Sequence, residues 1–167
     1  AFSTPFSAPP DVVAGPLSFN GADPGVARVR NITTTGFEVQ LDEWDYLDGS
    51  HSDETVSWIA ADEGSYTQGG LTWDVTRISS VGTSFLNVSF SVSFTGAPVV
   101  LSQVETVRTL VTTDNPVALT DRMRLIDADG FQIQLQREEG STVPVTPEDV
   151  GVIAISQGSG FLNGSPI

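Results

Sequence analysis

Apolar and polar residues alternate along much of the chain with a period of two. Phe37, Val39 and Leu41 fall on one side and Glu38, Gln40 and Asp42 on the other, the pattern of a half-buried strand. Leu86, Val88, Phe90, Val92 and Phe94 alternate in the same way with Asn87, Ser89, Ser91 and Ser93, so residues 85–94 are expected as an amphipathic strand. Between Val26 and Ile32, Val26, Arg28 and Arg30 point one way and Ala27 and Val29 the other. Two segments lack alternation. Residues 56–61 (Val-Ser-Trp-Ile-Ala-Ala) and 150–155 are apolar nearly throughout, which predicts central strands covered on both sides. Further strands are expected at 71–78, 98–111 and 117–126. Turn chemistry separates them, as at 20–25, 33–36, 112–116 and Asp127-Ala128-Asp129-Gly130. Pro5, Pro9, Pro10 and Pro16 break residues 1–19 into an edge strand, a proline turn and a short strand. With no helical period anywhere, the pattern predicts an all-β antiparallel sandwich.

The pattern also recurs. Residues 36–41 (Gly-Phe-Glu-Val-Gln-Leu) return as 130–135 (Gly-Phe-Gln-Ile-Gln-Leu), and 54–60 return as 148–154, both shifted by 94 positions. Arg28-Val29-Arg30 and Arg122-Met123-Arg124 hold that offset. Upstream, Phe2, Phe6 and Pro10 match Phe90, Phe94 and Pro98 at an offset of 88. The second copy therefore carries 94 − 88 = 6 extra residues between roughly Pro98 and Arg122. An internal duplication decides the architecture before any single motif does. The expected division is a first β-sandwich repeat at 1–66, a bridging segment at 67–84, a second repeat at 85–157 and a Gly/Ser-rich tail at 158–167.

Composition narrows the partners. Among 167 residues, 21 acidic against 7 basic side chains give a formal charge of −14, which repels phosphate backbones and anionic lipid heads. Nucleic acid and membrane insertion are not expected, and no apolar run approaches the roughly 20 residues of a membrane span. Such a surface suits solubility in salty surroundings, where self-repulsion is screened. Cysteine is absent, so disulfides give no reading of compartment. The start at Ala1 fits a removed signal peptide or upstream domain.

Candidate chemistry concentrates in one loop, 43–53, which the second copy does not reproduce. Trp44, Asp45, Tyr46, Asp48 and His51 combine aromatic faces, on which the C–H groups of a pyranose stack, with acceptors for its hydroxyls. The competing reading folds Trp44 and Tyr46 back as a lid over the sandwich edge, with the acids solvated. Trp58 and Trp73 are expected in the core, Trp73 alternatively between domains. No cofactor is expected. Calcium on Asp45, Asp48 and Asp53 around Gly49 is an alternative, although the spacing is not that of an EF-hand. A lone histidine without cysteine gives no ordinary zinc set. One histidine, no cysteine and no Gly-x-Ser-x-Gly or phosphate loop leave little for catalysis, so the chain is not expected to be an enzyme. Sequons at Asn31, Asn87 and Asn163 arise readily in Ser/Thr-rich strands.

Phe90, Phe94 and Pro98-Val99-Val100-Leu101, an Arg-containing strand, Thr35-Gly36-Phe37, and the strand ending Val56-Ser57-Trp58-Ile59-Ala60 together resemble the H-type lectin pattern. That family includes snail agglutinins and the carboxy-terminal domain of discoidins. The resemblance covers most of the chain apart from 63–84 and the tail. It implies two tandem six-stranded antiparallel β-sandwiches that bind sugars such as N-acetylgalactosamine, in proteins that usually assemble as trimers. The family's sugar-stacking tryptophan aligns with Trp44, and with Glu138 in the second copy. Its sugar-contacting arginine falls near Pro24 and Ala118, so neither copy keeps it.

Two functions follow as expectations. One is a non-catalytic, extracellular glycan- or polysaccharide-binding protein, secreted or on a cell surface and forming a homo-oligomer. The other is a structural β-sandwich subunit that assembles with copies of itself into an extracellular array or filament, adding strands at its edges and ends.

Overall fold

A computed structural model describes residues 1–112 and 115–159, and the backbone of 161–162 and 165–166. The strands are β1 (Asp11–Leu17), β2 (Gly25–Thr33), β3 (Gly36–Glu43), β4 (Val56–Ala61), β5 (Gly64–Gln68), β6 (Leu71–Val81), β7 (Leu86–Ser89) and β8 (Val99–Val104). They continue with β9 (Leu110–Thr112), β10 (Asn115–Pro116), β11 (Leu119–Arg124), β12 (Gly130–Arg137), β13 (Glu148–Ile155), β14 (Phe161–Leu162) and β15 (Ser165–Pro166). Every ladder is antiparallel, and no helix occurs among the described residues. The fold class is all-β, consistent with a β-sandwich. No helix among the described residues is long and apolar enough to cross a membrane. The turn expected at 112–116 and the sequon at Asn163 fall partly outside the described residues, as does the tail.

Equivalent strands pair alike. β2 pairs β3 with Arg28 opposite Gln40 and Arg30 opposite Glu38, and β11 pairs β12 with Arg122 opposite Gln134 and Arg124 opposite Gln132. Asp11 lies opposite Ala61 in β1–β4, and Val99 opposite Ile155 in β8–β13. The proline-rich entry matches too. Phe2 N and Phe6 N donate to Thr35 O and Thr34 O, and Phe90 N and Phe94 N donate to Asp129 O and Ala128 O. The phenyl pairs pack edge-on, with centroids 4.9 Å apart for Phe2–Phe6 and 5.0 Å for Phe90–Phe94. Those bonds take residues 90–94 out of the strand expected at 85–94, so β7 ends at Ser89. A buried carboxylate, Glu148, ties the loop after β8 by accepting from Thr106 Oγ1 (2.6 Å) and from Arg108 N and Thr109 N (both 2.8 Å). Glu54 holds the loop after β1 in the same way, accepting from Ser18 Oγ, Asn20 N and Gly21 N.

The edges differ. β13 lies between β8 and β6 in a four-stranded sheet, β5-β6-β13-β8, whereas among the described residues β4 pairs only with β1. Residues 64–81 form the β5–β6 hairpin, whose second strand runs along β13 from Trp73 opposite Ile155 to Val81 opposite Glu148. The covering predicted for 150–155 is present, and the covering predicted for 56–61 is not. Trp58 is accordingly 49% exposed, against 1% for its equivalent Val152, which corrects its expected core position. Val39 is 46% exposed, whereas Ile133 is fully buried. The main core gathers Val81, Val104, Leu119, Phe131, Ile133, Leu135 and Val150, and Trp73 is buried with Leu71, Val75 and Ile153 in a second cluster.

The halves meet through buried polar groups. Arg28, fully buried, donates to Val117 O (2.6 Å) and Thr106 O (3.0 Å). It lies 3.9 Å from Asp42 and 3.7 Å from Glu148. Glu105 accepts from Val12 N at 2.6 Å, and Gln103 accepts from Ala14 N and donates to Ala27 O. Arg77 bridges Asp11 (3.0 Å) and Glu105 (2.7 Å). These directional bonds set how the equivalent loops of the two halves face each other.

Candidate functional site

β3 and β12 end at Glu43 and Arg137, and the residues that follow, 44–46 and 138–140, are equivalent at the offset of 94. Buried Glu43 accepts from Gly49 N at 3.1 Å, and Leu47 N donates to Trp44 O at 2.9 Å. The loop after β3 therefore begins as a tight turn. Its rim reaches the other half, where Asp45 N donates to Glu138 Oε2 at 2.9 Å. The Tyr46 ring lies over Gly140 so closely that a Cβ there would sit 3.3 Å from Tyr46 Cδ1.

Between these loop starts runs a groove of about 370 Å³, lined by Trp44, Tyr46, Thr120, Arg122, Gln136 and Glu138 among others. Tyr46 is 67% exposed, so its ring is presented outward. Arg122 Nη1 donates to Gln136 Oε1 at 2.8 Å, which orients the guanidinium across the strand pair. Glu138 is buried, and its Oε1 has no hydrogen-bond partner. Burial, with the Asp45 charge beside it, pushes its carboxyl above the usual range. An aromatic wall, a fixed cation and an unused acceptor are the parts that a polyhydroxylated ring uses.

The expected site residues divide between two places. Trp44 and Tyr46 line this groove, while Trp44, Asp45, Asp48 and His51 line a second opening of about 510 Å³ beside Val39, Leu41 and Val56. There Asp48 caps its own loop, accepting from Ser50 N at 2.9 Å. His51 packs on Gly21, with Nδ1 2.8 Å from Ser52 O and Nε2 2.9 Å from Asp23 O. Two carbonyls facing one imidazole favour the doubly protonated ring, and they raise its pKa, Ser52 O first. Among the described residues, no group of three or more His, Cys, Asp or Glu side chains is placed to hold a metal ion.

Thr120, Arg122, Gln136 and Glu138 did not register as site residues in the sequence. Arg122 carried a signal only as the repeat of Arg28. What separates them is environment: Arg28 is buried at the contact between halves, whereas Arg122 lines a groove.

Residues 1–61 match the H-type lectin domain family. Halomucin of Haloquadratum walsbyi (strain DSM 16790 / HBSQ001) is 30% identical over 149 residues, an alignment covering 83% of this chain and 2% of that protein. The chain thus spans a small fraction of its curated relative's length. No solved structure matches it.

Proposed function

We propose that this chain, with a lectin-type domain match over residues 1–61, is a non-catalytic carbohydrate-binding protein that works outside the cell as two divergent copies of one sandwich. The sugar site is the groove shared by the two copies. Tyr46 and Trp44 supply the stacking face, Arg122 and Gln136 donate to ring hydroxyls, and Glu138 accepts from one. Asp45 positions Glu138, and His51 and Asp48 hold the loop's shape without touching the sugar. The observation that carries this reading is the exposed Tyr46 ring set across from the Arg122–Gln136 pair.

A glycan array probed with the wild-type chain, Trp44→Ala and Tyr46→Ala tests it. Binding by the wild type is expected to fall about tenfold in Tyr46→Ala, the loss of roughly 1.4 kcal/mol of aromatic contact, with circular dichroism unchanged. Silence of the wild type across the array overturns the reading. The alternative, a structural subunit, is favoured by one observation, the single-partner strand β4, and predicts open-ended assemblies in sedimentation instead of a monomer or closed ring.

A further inference from the structure

In the second half, β6 covers the outer edge of β13, with Val75 opposite Ile153, Arg77 opposite Gly151 and Ile78 opposite Val150. The chain then crosses β12, where Leu135 N donates to Gly82 O at 2.7 Å. At the offset of 94, the corresponding positions in the first half are Ile59, Ser57, Val56 and Leu41. Among the described residues, nothing pairs with β4 on that side. The side chains that β6 covers in the second half lie open in the first: Trp58 and Val39 are half exposed, and Leu41 and Val56 line the 510 Å³ opening.

We propose that the outer edge of β4 and the adjoining face of β3 form a docking slot for a β-hairpin with the chemistry of residues 62–81, carried by a neighbouring repeat of the same kind. The hairpin adds as an antiparallel strand. Its backbone completes the ladder; by the register of the second half, the counterparts of Ile78 and Val81, which cluster there with Ile133, Val150 and Val152, seat on Val39 and Val56, and that of Thr76 falls opposite Trp58. The occupant follows from the second half, where a hairpin of this chemistry fills the equivalent slot in the register above. Val39, Leu41 and Val56 give the opening an apolar strip beside the unpaired strand edge, while Asp45, Asp48, Asp53 and Glu54 line its rim. This inference is independent of the glycan groove, which lies between the halves.

The test adds a synthetic peptide of residues 62–81 to the full chain, followed by hydrogen exchange with mass spectrometry and by sedimentation. Exchange at residues 39–41 and 56–61 is expected to slow roughly tenfold or more, with none of this change at 150–155. A peptide carrying Val75→Pro, which removes a mid-strand donor, should give no protection. The chain variant Val39→Lys, at a position exposed enough to leave the fold intact, should weaken the peptide's effect. Unchanged exchange at millimolar peptide overturns the proposal. So does a doubled mass with residues 56–61 already protected in the absence of peptide, which assigns the slot to a second copy of the chain.

Discussion

β4 and β13 carry similar sequences 94 positions apart, each apolar nearly throughout and each held against its inner neighbour in the same register. One is a sheet edge with a half-exposed tryptophan, and the other is the centre of a four-stranded sheet with Val152 buried. Their own residues do not make that difference. The β5–β6 hairpin does, by pairing with β13. An apolar run therefore reports what a strand is built to bury, and a neighbour decides whether it is buried.

Arg28 and Arg122, 94 positions apart, break the comparison most sharply. Arg28 sits fully buried between Asp42, Glu148 and two carbonyls, so Arg28→Ala strands two carboxylates and should cost about 3–5 kcal/mol. Arg122, at the same register on β11, meets Gln136, and Arg122→Ala should stay within about 0.5–1 kcal/mol. Denaturant unfolding of both variants measures this directly. Equal losses would mean that burial at the contact between halves adds nothing to what Arg28 contributes.

A second pair sharpens the role of the missing strand. Ile133→Ala empties a fully buried site and should cost about 2–4 kcal/mol, whereas Val39→Ala, nearly half exposed, should cost less than about 1 kcal/mol. A hairpin seated on β4 would raise the cost of Val39→Ala toward that of its counterpart, and repeating the unfolding with the 62–81 peptide present reads that change.

These contrasts also show what the sequence made legible. The alternation at 37–41 and the matching offsets led to the strand pairs, and the Asp-Ala-Asp-Gly sequence led to the turn at Asp127, where Asp127 Oδ1 accepts from Asp129 N and Gly130 N; the resemblance carried by Gly36-Phe37 and the Phe and Pro positions agrees with the lectin-type domain match in residues 1–61. Alternation placed Asp42 on the solvent face, yet it is buried, because Arg28 from the neighbouring strand meets it at the contact between halves. The loop 43–53 stood out through its aromatics. That Tyr46 would turn away from His51 and toward Gly140 depends on the docking of the halves, which no local pattern encodes.

The contact between halves should also respond to pH. Burial pushes Asp11 up to about 6, Asp42 to about 7 and Glu105 to about 8, the last also raised by Asp11 beside it. Each folded-state value lies above the unfolded one, so the native chain binds protons more tightly. The resulting stability is present below the ordinary carboxylate range and is lost as pH rises through about 6 to 8. Thermal unfolding should show a Tm lower by roughly 5 °C at pH 8.5 than at pH 5. Glu105→Gln, which cannot ionise, should flatten that slope, and an unaltered slope would place the titration elsewhere.

The smallest effect expected comes from Gly140, the counterpart of Tyr46 at the offset of 94. A methyl group there would meet Tyr46 Cδ1 at 3.3 Å, closer than a relaxed contact, yet the ring is mostly exposed and free to give way by a few tenths of an ångström. Gly140→Ala should therefore change stability by less than about 0.5 kcal/mol. The same small displacement moves the stacking face relative to Arg122 and Gln136, so glycan affinity should fall a few-fold while the fold stays unchanged. A loss of stability without a loss of binding would reverse the assignment, making Tyr46 a lid on Gly140 instead of a platform for a ligand. The glycine is what lets two loop starts, one aromatic and one bare, face each other across an open groove.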